Sequence, residues 1–356
     1  MIEARACINA IGCAVPDHDV HRAFITWAEG QIGEERERMV FRRMAERSGI
    51  ERRWSVLPPP AGGGSPVDPG GFYASDNPPT SLRMSRYAEF APELAMRAVG
   101  RLAGQVSLDN ISHLVVASCT GFVAPGIDQI IAGQLGITGA ERTLIGFMGC
   151  YAAVAALRTA RHIVRSEPAA RVLVVTVELS TLHLQDLRQV ESLLMMLQFG
   201  DGAAAALVTA GGSGLAIDRP FAVNLEDSAD LIRWTIGDSG FEMHLSGQVP
   251  GRIQTALRDE TVRRQILGSH EPAGIGSWAV HAGGRSILDA VQNGLGFDEQ
   301  ALAVSRSVLA RFGNMSSSTL MFILADLLAQ DRKRNGIALA FGPGLAAEGF
   351  HFEPAG

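Results

Sequence analysis

The chain has 356 residues, of which 47% are hydrophobic and 19% are charged, with a formal net charge of -6. This much apolar material can bury a large core, and the acidic balance argues against a nucleic-acid partner. Four cysteines without paired or His-rich spacing indicate neither a disulfide framework nor a metal site. Because neither a signal peptide nor an apolar run of membrane-spanning length is recognisable, we expect a cytoplasmic protein with no membrane span.

Apolar, β-branched runs alternate with helical patterns along the chain. The predicted strands cover 113–117, 171–177, 203–208 and 336–340, and the predicted helices cover 86–102, 151–165, 285–294 and 316–329. Such alternation predicts an α/β protein with buried sheets. A proline- and glycine-rich segment, 58–79, cannot hold a helix or central strand, and we predict a surface loop without chemistry there.

The order strand, polar turn, helix, strand occurs twice. It runs from Leu144 to Val177 and recurs from about Asn314 to Ala340. We interpret this as a weak internal duplication whose halves, residues 1–214 and 215–356, meet at a glycine-rich turn and build one site between them.

Cys150 follows a strand-like apolar run, 143–149, and opens an alanine-rich helical stretch. A cysteine at a helix N-terminus meets the positive end of the helix dipole, which favours the thiolate. The alternative is a small, inert core cysteine. A nucleophile is the better interpretation only if a base and an oxyanion site exist elsewhere.

Two further segments supply those groups. His281 ends a strand-like run and precedes two glycines, and Asn314 lies in a loop before a helix start that is rich in hydroxyl groups. Each alone could be an ordinary core or turn residue. Together with Cys150 they offer a nucleophile that carries an acyl group, a positive partner for the thiolate, and two donors for a developing oxyanion.

With these motifs the chain resembles the type III polyketide synthases, the chalcone-synthase-like branch of the thiolase-fold condensing enzymes, from about Arg43 to Gly344. Residues 313–317 read Gly-Asn-Met-Ser-Ser, 199–205 read Phe-Gly-Asp-Gly-Ala-Ala-Ala, and 340–344 read Ala-Phe-Gly-Pro-Gly. The resemblance implies a thiolase-like fold of two βαβαβ halves in αβαβα layers. It also implies a catalytic triad of Cys150, His281 and Asn314.

The resemblance further implies where coenzyme A binds. Arg43 and Arg47 are four residues apart, share one face of a predicted helix, and fall where the family binds the coenzyme A phosphates. Gly283 and Gly284 are the other expected coenzyme A contacts. The remaining basic residues of this stretch are interpreted as a solvated face: Arg42, Arg52 and Arg53.

Several positions line the polyketide cavity in the family. Phe199 matches the gatekeeper between the site and the coenzyme A tunnel, and Met243 stands where a second gatekeeper phenylalanine is usual. Ser316 matches a serine that guides cyclisation. Three other residues stand at positions that small residues occupy in the plant chalcone enzymes: Cys119, His183 and Trp234. Those three could instead be a buried cysteine, a core histidine and a packing aromatic.

The implied activity is iterative decarboxylative condensation of an acyl-CoA starter with malonyl-CoA on Cys150, followed by cyclisation to a pyrone or phenolic product. A homodimer without metal or organic cofactor is also implied. The nearest alternative, an initiating β-ketoacyl-acyl-carrier-protein synthase, carries His-Gln-Ala-Asn where this chain reads His-Ala-Gly-Gly at 281–284. A thiolase would need a second cysteine beyond Cys150, and a non-catalytic acyl-binding scaffold would not need the triad.

Overall fold

A nine-stranded sheet forms the centre of the molecule. The structure is a computed structural model that describes residues 4–74, 77–185, 189–332 and 334–355. The strands within these ranges are β1 (Ala6–Ala14), β2 (His18–Asp19), β3 (Trp54–Ser55), β4 (His113–Ser118), β5 (Glu141–Gly146), β6 (Val172–Leu179), β7 (Asp201–Ala210), β8 (Gly214–Asn224), β9 (Ile232–Gly237), β10 (Gly240–Leu245), β11 (Ser277–Val280), β12 (Gly336–Gly342) and β13 (Ala346–Ala355).

The longer connections between these strands contain helices. They are α1 (His21–Gln31), α2 (Glu35–Glu46), α3 (Thr80–Ala103), α4 (Ile127–Leu135), α5 (Ala152–Ser166), α6 (Val190–Met196), α7 (Val249–Ala256), α8 (Glu260–Leu267), α9 (Arg285–Leu295), α10 (Ala303–Phe312) and α11 (Ser317–Leu328). The predicted α/β class is confirmed, and the apolar runs that predicted strands form β4, β6, β7 and β12.

The sheet repeats one pairing pattern in its two halves. Its strand order is β11-β12-β13-β8-β1-β7-β6-β4-β5. In the second half of the chain β11 and β12 are parallel, and β13 and β8 follow as antiparallel neighbours. In the first half β4 and β6 are parallel, and β7 and β1 follow in the same antiparallel manner. The duplication expected from the sequence is therefore present in the topology.

Helices α5 and α11 lie between the two halves of the sheet. α5 contacts β4, β6 and β7 on one side and β8, β12 and β13 on the other, while α11 contacts β1, β6, β7 and β11. Nine of the residues of α11 are buried, as a helix enclosed on all sides requires. α3 covers the outer face of β1, β6 and β7, and α10 packs on β11 beside α9. These contacts give five layers.

The approach of α3 to β1 depends on Gly12. A Cβ atom at this position would lie 2.2 Å from the backbone nitrogen of Leu102 and 2.4 Å from the carbonyl oxygen of Ala98. Any side chain would therefore push the outer helix away from the sheet. Within the described residues, no helix is both long and apolar enough to cross a bilayer.

The proline- and glycine-rich segment contains neither helix nor strand from residue 58 to 74, and much of it is exposed, as predicted for a surface loop. Part of it nevertheless reaches the interior. Ser65 is 4% exposed, and the Tyr73 hydroxyl donates to the Thr181 carbonyl at 2.7 Å. The loop is thus attached to the body of the molecule. Residues 75–76 of the predicted segment lie outside the described ranges.

Candidate active site

Cys150 lies in a single 3-10 turn, residues 149–151, that leads into α5. The preceding strand, β5, ends earlier than the sequence predicts, because Phe147 adopts a positive φ of 54° and turns the chain. Gly149 also has a positive φ, 72°, and a Cβ there would lie 2.4 Å from Pro343 Cδ. The backbone therefore reaches Cys150 through a tight turn at the edge of a cavity.

His281 and Asn314 come from the other half of the chain and line the same cavity as Cys150. His281 follows β11, and its backbone N–H donates to the Leu339 carbonyl at 2.8 Å. Its side chain is buried, and neither ring nitrogen has a hydrogen-bond partner in the described chain. The cavity, with its mouth, encloses about 580 Å³. Neither ring nitrogen of His281 is thus held by another residue of the described chain.

The Asn314 side chain is fixed at both ends. Its Nδ2 donates to the Gly283 carbonyl at 3.1 Å, and its Oδ1 accepts from the Ser316 backbone N–H at 2.9 Å. An amide nitrogen carries two hydrogens, so one remains after the bond to Gly283, and the Asn314 side chain is close enough to Cys150 to lower the pKa of its thiol. The backbone of Asn314 donates to the Gln198 carbonyl at 2.7 Å and forms a parallel bridge with Phe199. The amide is thus held in one orientation.

The apolar cavity disfavours a charge on Cys150 alone or on His281 alone. Burial raises the pKa of Cys150 to about 12, although the Ser316 hydroxyl and the Asn314 amide beside it act in the opposite direction. Burial also lowers the pKa of His281 to about 3. The resting positive histidine expected from the sequence is therefore not favoured by itself. A thiolate and an imidazolium formed together by proton transfer would stabilise each other.

Ser316 and Cys119 lie beside Cys150 but are not in the lining of either cavity. Ser316 precedes α11 with a φ of 47°, and its buried hydroxyl is close enough to lower the pKa of Cys150. Cys119 is fully buried, and its sulfur accepts from the Gly149 N–H at 3.0 Å. Cys119 therefore supports the backbone next to Cys150.

Glu178 is a buried carboxyl that the sequence reasoning missed. It accepts hydrogen bonds from the Cys119 N–H at 3.0 Å and the Thr120 hydroxyl at 2.9 Å, and also from the Ser317 hydroxyl. Burial raises its pKa to about 7. The available signal was an acidic residue next to the end of the apolar strand β6.

A second, larger cavity adjoins the first. Phe199, Trp234 and Met243 line both cavities, and we call these three residues the partition. His183 lines only the second one. Its Nε2 lies 2.7 Å from the Thr120 carbonyl, and its Nδ1 accepts from the Phe241 N–H at 3.0 Å.

His183 therefore contributes to the wall of the second cavity and does not act as a proton-transfer group. Its ring is stacked on that of Phe241, with centroids 4.2 Å apart and planes 10° apart. With both ring nitrogens engaged, one neutral tautomer is fixed, and burial lowers the pKa to about 3.

The expected coenzyme A residues lie around one end of α2. Arg43 is in the last turn of this helix and Arg47 directly follows it; both are exposed, and neither lines a cavity. Arg285, at the start of α9, donates to the Arg47 carbonyl at 3.1 Å. Gly283 lines the same cavity as Cys150, whereas a Cβ at Gly284 would lie 2.0 Å from Gln198 Oε1.

Two of the arginines interpreted as a solvated face behave differently from each other. Arg42 is exposed and pairs with Glu29 at 2.9 Å. The prediction that Arg53 belongs to a solvated face is wrong, because this residue is only 2% exposed and donates to the Phe199 carbonyl at 2.6 Å.

Comparison with known families gives two matches that together span nearly the whole chain. Residues 1–212 match the N-terminal domain of the chalcone and stilbene synthases, and residues 220–354 match the C-terminal domain.

Individual relatives come from bacteria, plants and algae. The alpha-pyrone synthesis polyketide synthase-like Pks18 of Mycobacterium tuberculosis is 33% identical over 285 residues, covering 76% of this chain and 72% of the relative. Bisdemethoxycurcumin synthase of Oryza sativa subsp. japonica is 31% identical over 338 residues, covering 86% of this chain and 81% of that enzyme.

Solved structures match over the same length. The crystal structure of PKS-I from the brown alga Ectocarpus siliculosus has a TM-score of 0.86 and 29% identity, with 99% of each chain covered. The C-terminal type III polyketide synthase domain of Steely1 from Dictyostelium has a TM-score of 0.88, with 99% of this chain and 100% of that chain covered. At 23% identity, the second match concerns the fold alone.

Proposed function

The chain belongs to the chalcone and stilbene synthase family of type III polyketide synthases, and from that membership we propose that Cys150, His281 and Asn314 carry out its reaction. The fold is thiolase-like, and the enzyme is an acyltransferase that condenses acyl groups with malonyl-CoA to pyrone or phenolic products. The observation that carries the assignment of residues is the shared cavity, in which His281 keeps both ring nitrogens free beside the other two side chains.

In the proposed loading step, the Cys150 sulfur attacks the carbonyl carbon of the starter thioester. His281 takes the thiol proton and later returns it to the departing coenzyme A sulfur. The acyl group is then held on Cys150. Burial stabilises the neutral forms of both residues, so the charged pair exists only while the proton is on His281.

In the proposed extension step, malonyl-CoA loses carbon dioxide, and the electrons of the broken C–C bond form an enolate. His281 and the free N–H of Asn314 Nδ2 would donate to the enolate oxygen. The carbanion carbon attacks the acyl carbonyl on Cys150 and the Cys150 sulfur departs, so the chain grows by one ketide unit on coenzyme A. The electrons come from malonate itself, and the scheme uses no metal or organic cofactor.

Product analysis tests this function. Purified protein is incubated with malonyl-CoA and a panel of acyl-CoA starters, and products are identified by mass spectrometry beside a Cys150→Ala control. We expect pyrone or phenolic products that disappear in the control. Products formed only from malonyl-loaded carrier protein, and only after one condensation, would contradict the proposal.

The division of labour is tested separately with Asn314→Ala. Without the amide donor, carbon dioxide release from malonyl-CoA should fall by about 10²–10³-fold, while acyl loading on Cys150 falls much less. Loading is followed as the mass of the acylated protein. Equal losses in both steps would contradict the assigned role of Asn314.

Two further expectations are part of the proposal. Arg43 and Arg47 form a cationic surface suited to the coenzyme A phosphates, with Arg285 beside them. A homodimer is proposed through β5, which ends the strand order and has exposed apolar neighbours: Phe122 and Leu144 are each 44% exposed. An uncovered edge strand of this kind is normally paired or protected.

A further inference from the structure

One side of α2 exposes arginines and apolar side chains together. These residues follow one another at spacings of three or four, so they share one side of the helix: Arg36, Val40, Arg43, Met44 and Arg47. All five are exposed, whereas the opposite side of α2 packs against α1 and α6. We call these five residues the α2 stripe.

The arginines of the α2 stripe have no carboxylate partner. Among the described residues, neither Arg36 nor Arg43 nor Arg47 forms an ion pair, although Arg38 and Arg42 of the same helix are both paired with glutamates. The chain as a whole has a net charge of -6. The α2 stripe is therefore a local cationic surface on an acidic protein, and such a surface attracts an anionic partner.

The apolar side chains of the α2 stripe are not explained by phosphate binding. Val40 is 46% exposed and Met44 is 50% exposed, and Met39 beside them is also exposed. The phosphates of coenzyme A would pair with arginines but offer no apolar surface to pack on these side chains. A protein surface that carries both carboxylates and apolar groups would match the whole stripe.

The α2 stripe ends close to the cavity that holds Cys150. Arg285 donates to the Arg47 carbonyl at 3.1 Å, and Gly283, two residues before Arg285, lines that cavity. Two residues of chain span at most about 7 Å. A protein bound to the stripe is thus near the place where a thioester would react.

The dimensions of the α2 stripe favour a small protein over a membrane. From Arg36 to Arg47 it is about 16 Å long at 1.5 Å per residue, which matches the contact made by one short helix. An anionic bilayer would face a much wider area of this acidic molecule and would be repelled by it.

We infer that the α2 stripe binds an acidic acyl carrier protein, which delivers the starter acyl group as a thioester of its phosphopantetheine arm. The Cys150 sulfur bonds to the acyl carbon as the C–S bond of the carrier thioester breaks. The thiol proton passes from Cys150 through His281 to the departing phosphopantetheine sulfur. Malonyl-CoA remains the extender. This inference rests on the proposed function, because it assumes that an acyl group is loaded on Cys150.

The test compares one acyl group on two carriers. Octanoyl-CoA and an octanoyl-loaded acyl carrier protein of bacterial fatty-acid synthesis are used as starters, with malonyl-CoA as extender, and kcat/KM for the starter is measured from the products. In Arg36→Glu we expect the value for the carrier protein to fall by about tenfold, because attraction becomes repulsion. The value for octanoyl-CoA should stay the same. Arg36 lies about 10 Å from Arg43 along the helix, so salt at about 0.15 M screens its effect on coenzyme A phosphates.

A second variant changes the apolar part of the α2 stripe without changing its charge. Val40→Ser combined with Met44→Ser should lower kcat/KM for the octanoyl carrier protein by about tenfold, through lost apolar contact, and leave that for octanoyl-CoA unchanged. Arg101→Glu, in the last turn of α3, and Leu82→Ser, at an exposed position of the same helix, are the matched controls and should change neither value.

Three outcomes would overturn the inference. The first is extension of octanoyl-CoA without any use of the octanoyl carrier protein. The second is an equal fall for both starters in the stripe variants, which would assign the α2 stripe to coenzyme A alone. The third is binding to phosphatidylglycerol vesicles that is lost in Arg36→Glu, without use of the carrier protein, which would assign it to a membrane surface.

Failure of the inference and failure of the proposed function give different results. If octanoyl-CoA is extended and only the carrier protein is refused, the inference alone is overturned. If neither starter gives a product and malonyl-CoA is not decarboxylated, the proposed function fails, and the inference fails with it.

Discussion

Cys150 and His281 are each stabilised in the neutral form by the same apolar cavity, so their charges depend on each other. Burial opposes a lone thiolate and a lone imidazolium. Proton transfer creates both charges at once, and their attraction offsets part of the cost. The two groups should therefore titrate as a pair.

Alkylation of Cys150 tests this coupling. In His281→Gln the imidazolium is absent, so the pH of half-maximal reaction with iodoacetamide should rise by about 1–3 units relative to the unmodified protein. Labelling of Cys150 is measured by mass spectrometry of its peptide, with Cys150→Ala as the control for reaction at the other three cysteines. Identical pH profiles for the two proteins would show that the histidine does not stabilise the thiolate.

Glu178 should make the stability of the protein depend on pH. Its pKa is raised from 4.5 to about 7. As the pH rises, the unfolded state therefore loses this proton before the folded state does. This contribution is complete below pH 4.5 and is lost as the pH rises towards 7, on the order of 1–3 kcal/mol. Asp201, raised from 3.8 to about 6, acts in the same direction over a lower range.

Glu178→Gln is the corresponding test. Between pH 5 and 8, the slope of melting temperature against pH should be more positive in this variant than in the unmodified protein, because the Glu178 contribution is absent while those of Asp201 and the buried histidines are the same in both proteins. Glu93→Gln, which changes an exposed carboxyl on α3, should keep the original slope. The same slope in Glu178→Gln would mean that the buried carboxyl ionises at its ordinary pKa.

Local motifs predicted some site residues and could not predict others. Cys150, His281 and Asn314 each stand in a recognisable turn, because a nucleophile or donor at the end of a strand needs a short, special backbone path. Arg53 and Glu178 are charged residues whose burial depends on contacts with distant segments. A sequence pattern ranks such residues as exposed unless the partners that bury them are known.

The loop that carries Asn314 is supported from behind by Arg53. Gly313 has a φ of 67°, and a Cβ there would lie 2.9 Å from Arg53 Cγ and 2.8 Å from the Gln198 carbonyl oxygen. Gly200 packs against the same arginine, with a Cβ position 3.6 Å from Arg53 Cβ. The absence of side chains at both glycines lets α10, β7 and this arginine meet closely.

Gly313→Ala should therefore damage both stability and activity. A positive φ and two close contacts together should cost about 1–3 kcal/mol in the free energy of unfolding, measured with urea. Displacement of Asn314 should lower malonyl-CoA decarboxylation as well. Gly133→Ala in α4, where a Cβ meets nothing within 4 Å, should be neutral or slightly stabilising. Equal stability of the two variants would contradict this account.

The contacts of the loop over 58–74 could not be predicted from the sequence. Its composition correctly excluded helix and strand, but it contained no information on what lies beneath. Pro66 and Val67 line the second cavity, and Asp68 accepts from the Ser65 N–H at 2.6 Å. An irregular segment reaches the interior when its own turns satisfy its backbone, and periodicity cannot report that.

At the scale of the whole molecule, the sequence predicted the duplicated α/β plan but not the sheet order. The two strand–turn–helix–strand passages correspond to β5 through β6 and to the segment from Asn314 to β12. β1 pairs with β8 in an antiparallel arrangement, with Cys7 opposite Ala216 and Ile8 opposite Leu215. No local sequence pattern indicates this pairing. The proposed halves, 1–214 and 215–356, remain a prediction.

The exposed edge of β5 predicts the assembly state. Light scattering should give the mass of a dimer, and Leu144→Asp should shift the protein towards the monomer, because a buried carboxylate at a strand interface is costly. Met39→Asp, at a 55% exposed position on α2, is the matched control and should remain dimeric. A monomeric unmodified protein, or a dimeric Leu144→Asp, would contradict pairing through this edge.

The backbone bridge between Phe199 and Asn314 ties a residue of the partition to a residue of the proposed triad. The segment that carries Phe199 is hydrogen-bonded to the segment that carries Asn314. A library that varies position 199 to admit bulkier starters would therefore change the catalytic rate as well as the starter selectivity. Selections for new products from such a library should enrich compensating changes near Gln198 and Gly313, which hold the same two segments together.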